Sequence, residues 1–307
     1  MPEIPQRGEN PQEKTEETPP EQEVEKPQEV EQEVEEEQYS AEMKEILEKI
    51  DFDKLKGLFL EVVSKHGIDE KSINFLGKDR IRGSQGDWRN NYYHFKSNTI
   101  NLEEQDASNE QMQDRIESLG GKELHLLRRL VHEETHAVIK NRLDKDGSQN
   151  GYTRSCSENE DDAVEWYSRW GQETIFKAFN EGVVDKLSRE ILLKYAEQTS
   201  QSANEVVILK KTLKKNSTGV AYAMEVKMVD TIIKYLAKEN KVTKKKIWDL
   251  IVEGLVKGEV FEDSELTEYF SKAFGPGFVK DLARVNPKSI HDKSLELLAT
   301  KYGFSIE

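Results

Sequence analysis

Apolar residues recur three and four positions apart along much of this 307-residue chain, the spacing of helices that bury one face. Ile46, Leu47 and Ile50 open the pattern after Ser40. Asp53 is placed to cap a second helix carrying Leu55, Leu58, Phe59, Val62 and Val63, with Gly67 as its stop. Residues 72–76 read as a strand, and Gly83, Gly86 and Asp87 as a loop. Tyr92 to Phe95 and Thr99 to Leu102 read as a hairpin around Lys96-Ser97-Asn98. A polar linker then runs to Gly120-Gly121, followed by the strongest helix, 122–142. A Gly- and Ser-rich polar loop is expected over 146–160, and helices over about 161–180, 181–199, 219–239, 243–257 and 265–284.

This order implies an α+β fold, mostly helical, with a small sheet. It divides the chain into a lobe at 40–145, holding the sheet and the strongest helix, and a helical lobe at 146–307. Residues 1–39 stand apart. Glu, Gln and Pro dominate the first 38 residues, which hold six of the eight prolines and no aromatic residue. Such a segment cannot offset its chain entropy by burial and is expected to be disordered, a solubilising leader rather than a specific partner-binding tail.

Charge changes the picture in one respect. The net charge is −15, but the first 38 residues carry fourteen glutamates against Arg7, Lys14 and Lys26, a net of −11 that leaves −4 for the rest. The remainder is nearly balanced, which argues against a nucleic-acid partner. Lysines at 210, 211, 214 and 215 and at 244–246 lie among acidic residues and read as solvated helix faces. The single cysteine, Cys156, excludes an internal disulfide and reads as an inert thiol. No apolar stretch follows a basic start, and no run approaches the ~18 apolar residues of a membrane helix, so a cytoplasmic protein without a membrane partner is expected.

The chemistry centres on His132-Glu133-Glu134-Thr135-His136. Residues four apart on a helix lie about 40° apart around its axis, so both imidazoles leave one face. Two neutral imidazoles so placed can share one Zn²⁺, and Glu133 beside them can take a proton from an activated water. Zinc then needs a third protein ligand and an open position. Ile139 and Arg142 occupy the places where the compact metzincin motif would need Gly and His, which excludes that class. Glu181 is the leading third ligand; Asp185 follows one turn later on the same face, placed to accept a hydrogen bond from the second nitrogen of a ligating histidine. Gly182 allows a second helix to approach. Glu160, followed three residues later by Ala163, is the alternative ligand, with Glu165 behind it.

His132, Glu133, His136, Glu181 and Asp185 together resemble, position by position, the gluzincin or thermolysin-like branch of the zincin metallopeptidases, over about residues 92–200. The resemblance implies a zincin-like fold, one zinc per chain, and peptide or protein substrates. It also implies that the hairpin beginning at Tyr92 supplies the edge strand that aligns an extended substrate.

Two positions depart from that pattern. Glu134 falls among Leu126, Leu127, Leu130, Val131, Ala137 and Val138, where an apolar residue is common; a carboxylate there needs a Lys or Arg partner, protonation or solvent. The donor that would hold a developing oxyanion is not marked by a motif. Tyr222, at the start of a helix after a polar loop, is preferred to Tyr195, Tyr235, Tyr269 and His291. His66, His94 and His125 read as surface or capping residues.

Two other functions compete with peptide hydrolysis. Glu133 and His136 are half of a dinuclear carboxylate site, but no other histidine has Glu three residues before it. The second is a weak or inactive zincin-fold binding module acting through the acidic tail or the helical C-terminal half.

Overall fold

The computed structural model describes residues 40–66, 69–84, 91–94, 97–103, 110–139, 141–144, 147–156, 174–199, 203–215, 222–258, 264–285 and 294–304. The acidic tail, Glu160, Glu165 and His291 lie outside the described residues. Two helices come first, α1 (Ala41–Lys49) and α2 (Phe52–Ser64). Ser40 caps α1 by accepting from the Met43 N–H. The cap of α2 is Asp51, not Asp53: its carboxylate accepts from the Lys54 N–H at 2.9 Å, while Asp53 sits in the first turn.

A mixed sheet follows. β1 (Ile81–Ser84) runs parallel to β3 (Thr99–Glu103), and β2 (Tyr92–His94) pairs antiparallel with β3, in the order β1-β3-β2. The hairpin at 92–102 is thus present, with Tyr93 opposite Ile100. The strand expected at 72–76 is not: Glu70–Ser72 is a 3-10 turn, and the extended residues after it join neither sheet. Gly83, expected in a loop, lies in β1 opposite Leu102. The polar linker before Gly120 contains α3 (Glu110–Ser118), whose few apolar residues hid it from the periodicity.

α4 (Lys122–Val138) carries the His-Glu-Glu-Thr-His run and ends four residues earlier than the 122–142 expected. Asn141 ends it by donating its side-chain amide to the carbonyls of His136 and Ile139, both at 2.9 Å. The expected loop at 146–160 is largely a second sheet. β4 (Asn141–Asp144), β5 (Gly147–Asn150), β6 (Thr153–Cys156) and β7 (Thr174–Ile175) pair antiparallel in sequence order. These strands lack apolar alternation, so pattern could not find them; Gly151, with φ +55°, and Tyr152 form the two-residue turn between β5 and β6.

The second half is helical: α5 (Lys177–Thr199), α6 (Ala203–Lys215), α7 (Ala223–Asn240), α8 (Lys244–Lys257), α9 (Glu265–Phe274), α10 (Phe278–Ala283) and α11 (Ser294–Tyr302). The helix expected at 265–284 breaks at Gly275-Pro276-Gly277, because Pro276 has no N–H and Gly275 takes φ +79°. The boundary expected at 180/181 is absent, and α5 runs unbroken through Glu181 and Gly182.

α5 is the central element. Phe179, Val183, Val184, Leu187 and Ile191 are buried around it, as suits a helix packed on every side. It meets α2, α4 and α7, so apolar residues on both sides of residue 145 share one continuous core. α7 approaches closely at Gly182, where a Cβ would lie 2.5 Å from the backbone oxygen of Glu225. The fold is therefore mostly helical with a small mixed sheet and a small antiparallel one.

Of the options for Glu134, the structure favours protonation over a cationic partner or solvent. It is fully buried, pairs with no Lys or Arg among the described residues, and accepts the backbone N–H of Leu76. Burial pushes its carboxyl well above the ordinary range and favours the neutral acid. Its contact pins the extended segment after Ser72 to α4.

Two predictions follow from this packing. Glu134→Gln keeps an acceptor for Leu76 and should cost no more than ~1 kcal/mol in urea unfolding, whereas Glu134→Ala orphans that N–H, leaves a cavity and should cost about 2–4 kcal/mol. Gly182→Ala should cost at least about 1–3 kcal/mol, because the added methyl meets backbone, and a thermal melt matching wild type would contradict the close approach.

Candidate metal centre

α4 and α5 cross so that His132 and His136 on the first face Glu181 on the second. Glu181 Oε2 lies 3.4 Å from His132 Nε2 and 3.4 Å from His136 Nε2. Ligands about 2.0–2.1 Å from a tetrahedral centre stand roughly 3.3–3.4 Å apart, so this spacing is that of a metal's coordination shell. It is too long for a good hydrogen bond. His132 Nε2 and Glu181 Oε2 are buried and satisfied by no hydrogen bond among the described residues. Buried polar atoms normally have partners, and the donors that converge here suit a cation. His132, His136 and Glu181 are the one group of three or more such donors among the described residues placed to hold a metal ion.

The charges agree. Burial opposes protonation of both imidazoles, but Asp185 and Glu181 outweigh it at His132, raising it to about 10, and Glu181 outweighs it at His136. Glu181 resists burial in turn and is held well below the carboxylate range by His136 and His132. The pocket is thus built around positive charge between its carboxylates.

A supporting shell fixes each donor. His132 Nδ1 faces Asp185 Oδ1 at 3.4 Å. Asp185 is fully buried and held by Arg128 at 2.8 Å and Arg189 Nε at 2.7 Å. His136 Nδ1 lies 2.6 Å from Asn150 Oδ1, and the Asn150 amide donates to the His136 carbonyl at 2.9 Å. A carbonyl oxygen on Nδ1 requires the proton there and leaves Nε2 as the ligating atom. Asn150 comes from β5, and Arg128 and Arg189 from α4 and α5; sequence reasoning missed all three. Gly151 was a signal for the turn, and Arg189 stands four residues after Asp185 on one helix face.

Glu133 points into the same cleft, its Oε2 accepting the Tyr93 N–H at 2.9 Å. β2 lies at one edge of its sheet among the described strands, and that bond ties it to α4. Tyr222 closes the other side. It takes a left-handed backbone conformation, φ +58°, and stacks its ring on His132 with centroids 4.9 Å apart and planes 7° from parallel. The Glu181 charge, with burial and Glu133, pushes its phenol well up, so Tyr222 keeps its proton. The cleft encloses about 550 Å³, and Tyr92, Arg129, Gln149 and Lys177 complete its walls.

The other tyrosines lie elsewhere. Tyr195 accepts from the Asp51 N–H, Tyr235 stacks on Phe274, and Tyr269 bonds Glu265. His94 is exposed and bonds Ser97, while His125 is buried rather than on the surface; burial and Arg129 lower it to about 4. The alternative ligand Glu160 lies outside the described residues. No helix among the described residues is long and apolar enough to cross a membrane. No family model matches the chain, and no curated protein or solved structure matches it at a significant level.

Proposed function

We propose that this protein is a zinc-dependent metallohydrolase, a peptidase of gluzincin type. The observation that carries the reading is the placing of Glu181 Oε2 at 3.4 Å from both imidazole Nε2 atoms, with second partners already on each ring. Two imidazoles and one carboxylate are a common donor set of catalytic zinc, which keeps a further position open. His132, His136 and Glu181 would hold the ion. Bound there, zinc supplies Lewis acidity, which makes water acidic near neutral pH and draws electron density from a carbonyl.

The chain's own groups supply the rest. The Glu133 carboxylate accepts a proton from the attacking water and returns it to the leaving amine. Its bond from the Tyr93 N–H holds that carboxylate at the cleft side of α4 and leaves its other oxygen to act. The Tyr222 phenol, kept protonated, donates to the oxygen of the scissile carbonyl as negative charge gathers on it. The edge strand β2 lies along the cleft, and an extended peptide is the substrate shape such an edge accepts.

Elemental analysis tests the metal. One zinc per chain is expected, lost in Glu181→Ala and kept in Glu160→Ala; loss in Glu160→Ala alone would move the third ligand, and no uptake by the wild type would end the proposal. A peptide-library assay tests the chemistry. Glu133→Gln, which still accepts from Tyr93, should retain zinc and lose at least about 10²-fold in turnover. Tyr222→Phe should retain zinc and lose about 10–10³-fold in kcat. Zinc binding without cleavage of any peptide would favour the alternative, a zincin-fold binding module.

A further inference from the structure

The candidate metal cleft holds a cation that neither the ligand set nor its support uses. Besides the two imidazoles, its charged lining side chains are Arg128, Arg129, Lys177, Glu133 and Glu181. All but Lys177 are engaged. Arg128 holds Asp185 at 2.8 Å, Arg129 donates to the side-chain carbonyl of Asn91, Glu133 accepts the Tyr93 N–H at 2.9 Å, and Glu181 faces both imidazoles. Lys177 is exposed in the cleft wall and makes no hydrogen bond or ion pair with any described residue.

The helix crossing says where Lys177 stands. Arg128 meets Asp185 and His136 meets Glu181, so α5 positions fall as α4 positions rise, and α5 begins beside the end of α4. Lys177 is the first residue of α5 and precedes Glu181 by four, which puts both on one helix face, about 6 Å apart along the axis. It thus stands at the His136 end of the cleft, with Gln149 and Asn150 of β5, while Arg129 and Asn91 stand at the other. An extended peptide advances ~3.3–3.6 Å per residue, so an ammonium on a four-carbon stem there reaches a side chain within about two residues of a bond held at the candidate ligands.

The rest of that end narrows what the ammonium meets. The Gln149 amide donates to the carbonyls of Gly151 and Gly258 at 2.9 and 2.8 Å. The Asn150 amide donates to the His136 carbonyl at 2.9 Å and to Asn141 Oδ1 at 2.6 Å. Both amides are engaged within the protein, which leaves the single ammonium as the cation at this end among the described lining residues. Capture of a chain terminus uses a guanidinium fork or a nest of several N–H donors on one carboxylate. One ammonium on a flexible stem is a point charge, a match for the carboxylate of an aspartate or glutamate side chain.

We infer that Lys177 is a specificity-determining residue that selects peptides bearing an aspartate or glutamate within about two residues of the cleavage point, on the His136 side. The inference rests on the proposed hydrolysis for the bond that is cut, but the contact belongs to the bound peptide and can be read without turnover.

Peptides of ten residues, blocked at both ends and carrying one glutamate at each position in turn or glutamine in its place, test this. At one position glutamate should raise kcat/KM at least about fivefold over glutamine, less at high salt. That ratio should fall to within about twofold in Lys177→Gln, persist in Lys177→Arg and invert in Lys177→Glu, with zinc content and thermal melt as in wild type. Lys56→Gln, outside the cleft, should leave the ratio unchanged. Anisotropy of the same labelled peptides on Glu133→Gln should show the same preference in binding. Equal cleavage of the two series, or a preference that survives in Lys177→Gln, would overturn the inference and leave the peptidase standing. So would a preference for an unblocked C-terminus that ignores the glutamate, which would identify a chain-terminus site. Glutamate-dependent binding without any cleavage would sink the peptidase alone, and absence of both binding and cleavage would sink both.

Discussion

A carboxylate with no access to solvent, Asp185, sets the terms for everything around it. Burying an ionised carboxylate is costly unless it is paired and hydrogen-bonded, and Asp185 is held by two guanidinium groups. Arg189 belongs to its own helix, but Arg128 belongs to α4, so the charge can be satisfied only when α4 and α5 cross in one register. That register brings His132 Nδ1 to Asp185 and Nε2 to Glu181. Removing one partner would leave a buried charge unmatched, and sliding one helix along the other would do the same. The face that carries the candidate metal ligands is therefore fixed by the electrostatics of the core beneath it.

A different kind of constraint holds the other wall. α7 lies against α5 at Gly182, where backbone meets backbone. Tyr222, immediately before α7, adopts a conformation that costs a residue with a side chain about a kilocalorie or more, and its ring lies flat on His132. Strain of this kind persists where packing over-determines it, and here the tight contact at Gly182 lies three residues from the strained position. Together with Asn150 from the polar hairpin, three separate parts of the chain reach the two imidazoles, each with a short lever arm from a rigid element.

Much of the candidate site could be read from sequence because its chemistry is local. His132 and His136, and Glu181 and Asp185, are each four apart, so helical geometry alone places each pair on one face. That the two faces meet could not be read, since nothing in either segment states how α4 and α5 pack. The fold was legible where one face is apolar, as in α2, α7 and α8. It was hidden where polar side chains satisfy each other: the strands from Asn141 to Cys156, the helix at Glu110–Ser118, and Glu134, whose partner is a backbone N–H 58 residues away. Arg128 and Arg189 were passed over for the same reason. An arginine read one residue at a time looks like surface, and becomes interior only once a carboxylate is known to lie opposite it.

The α4 helix carries one more implication. From His125 to Thr135 every residue is buried, so about three turns of this helix hold the core, the ion pair and candidate ligand His132 at once. Replacing Arg128, His132 or Glu134 would disturb the interior as well as the candidate site. The interior thus constrains most of the helix whatever the candidate site does, and Glu133, whose one described hydrogen bond is to the edge strand, is the position where the two demands overlap least.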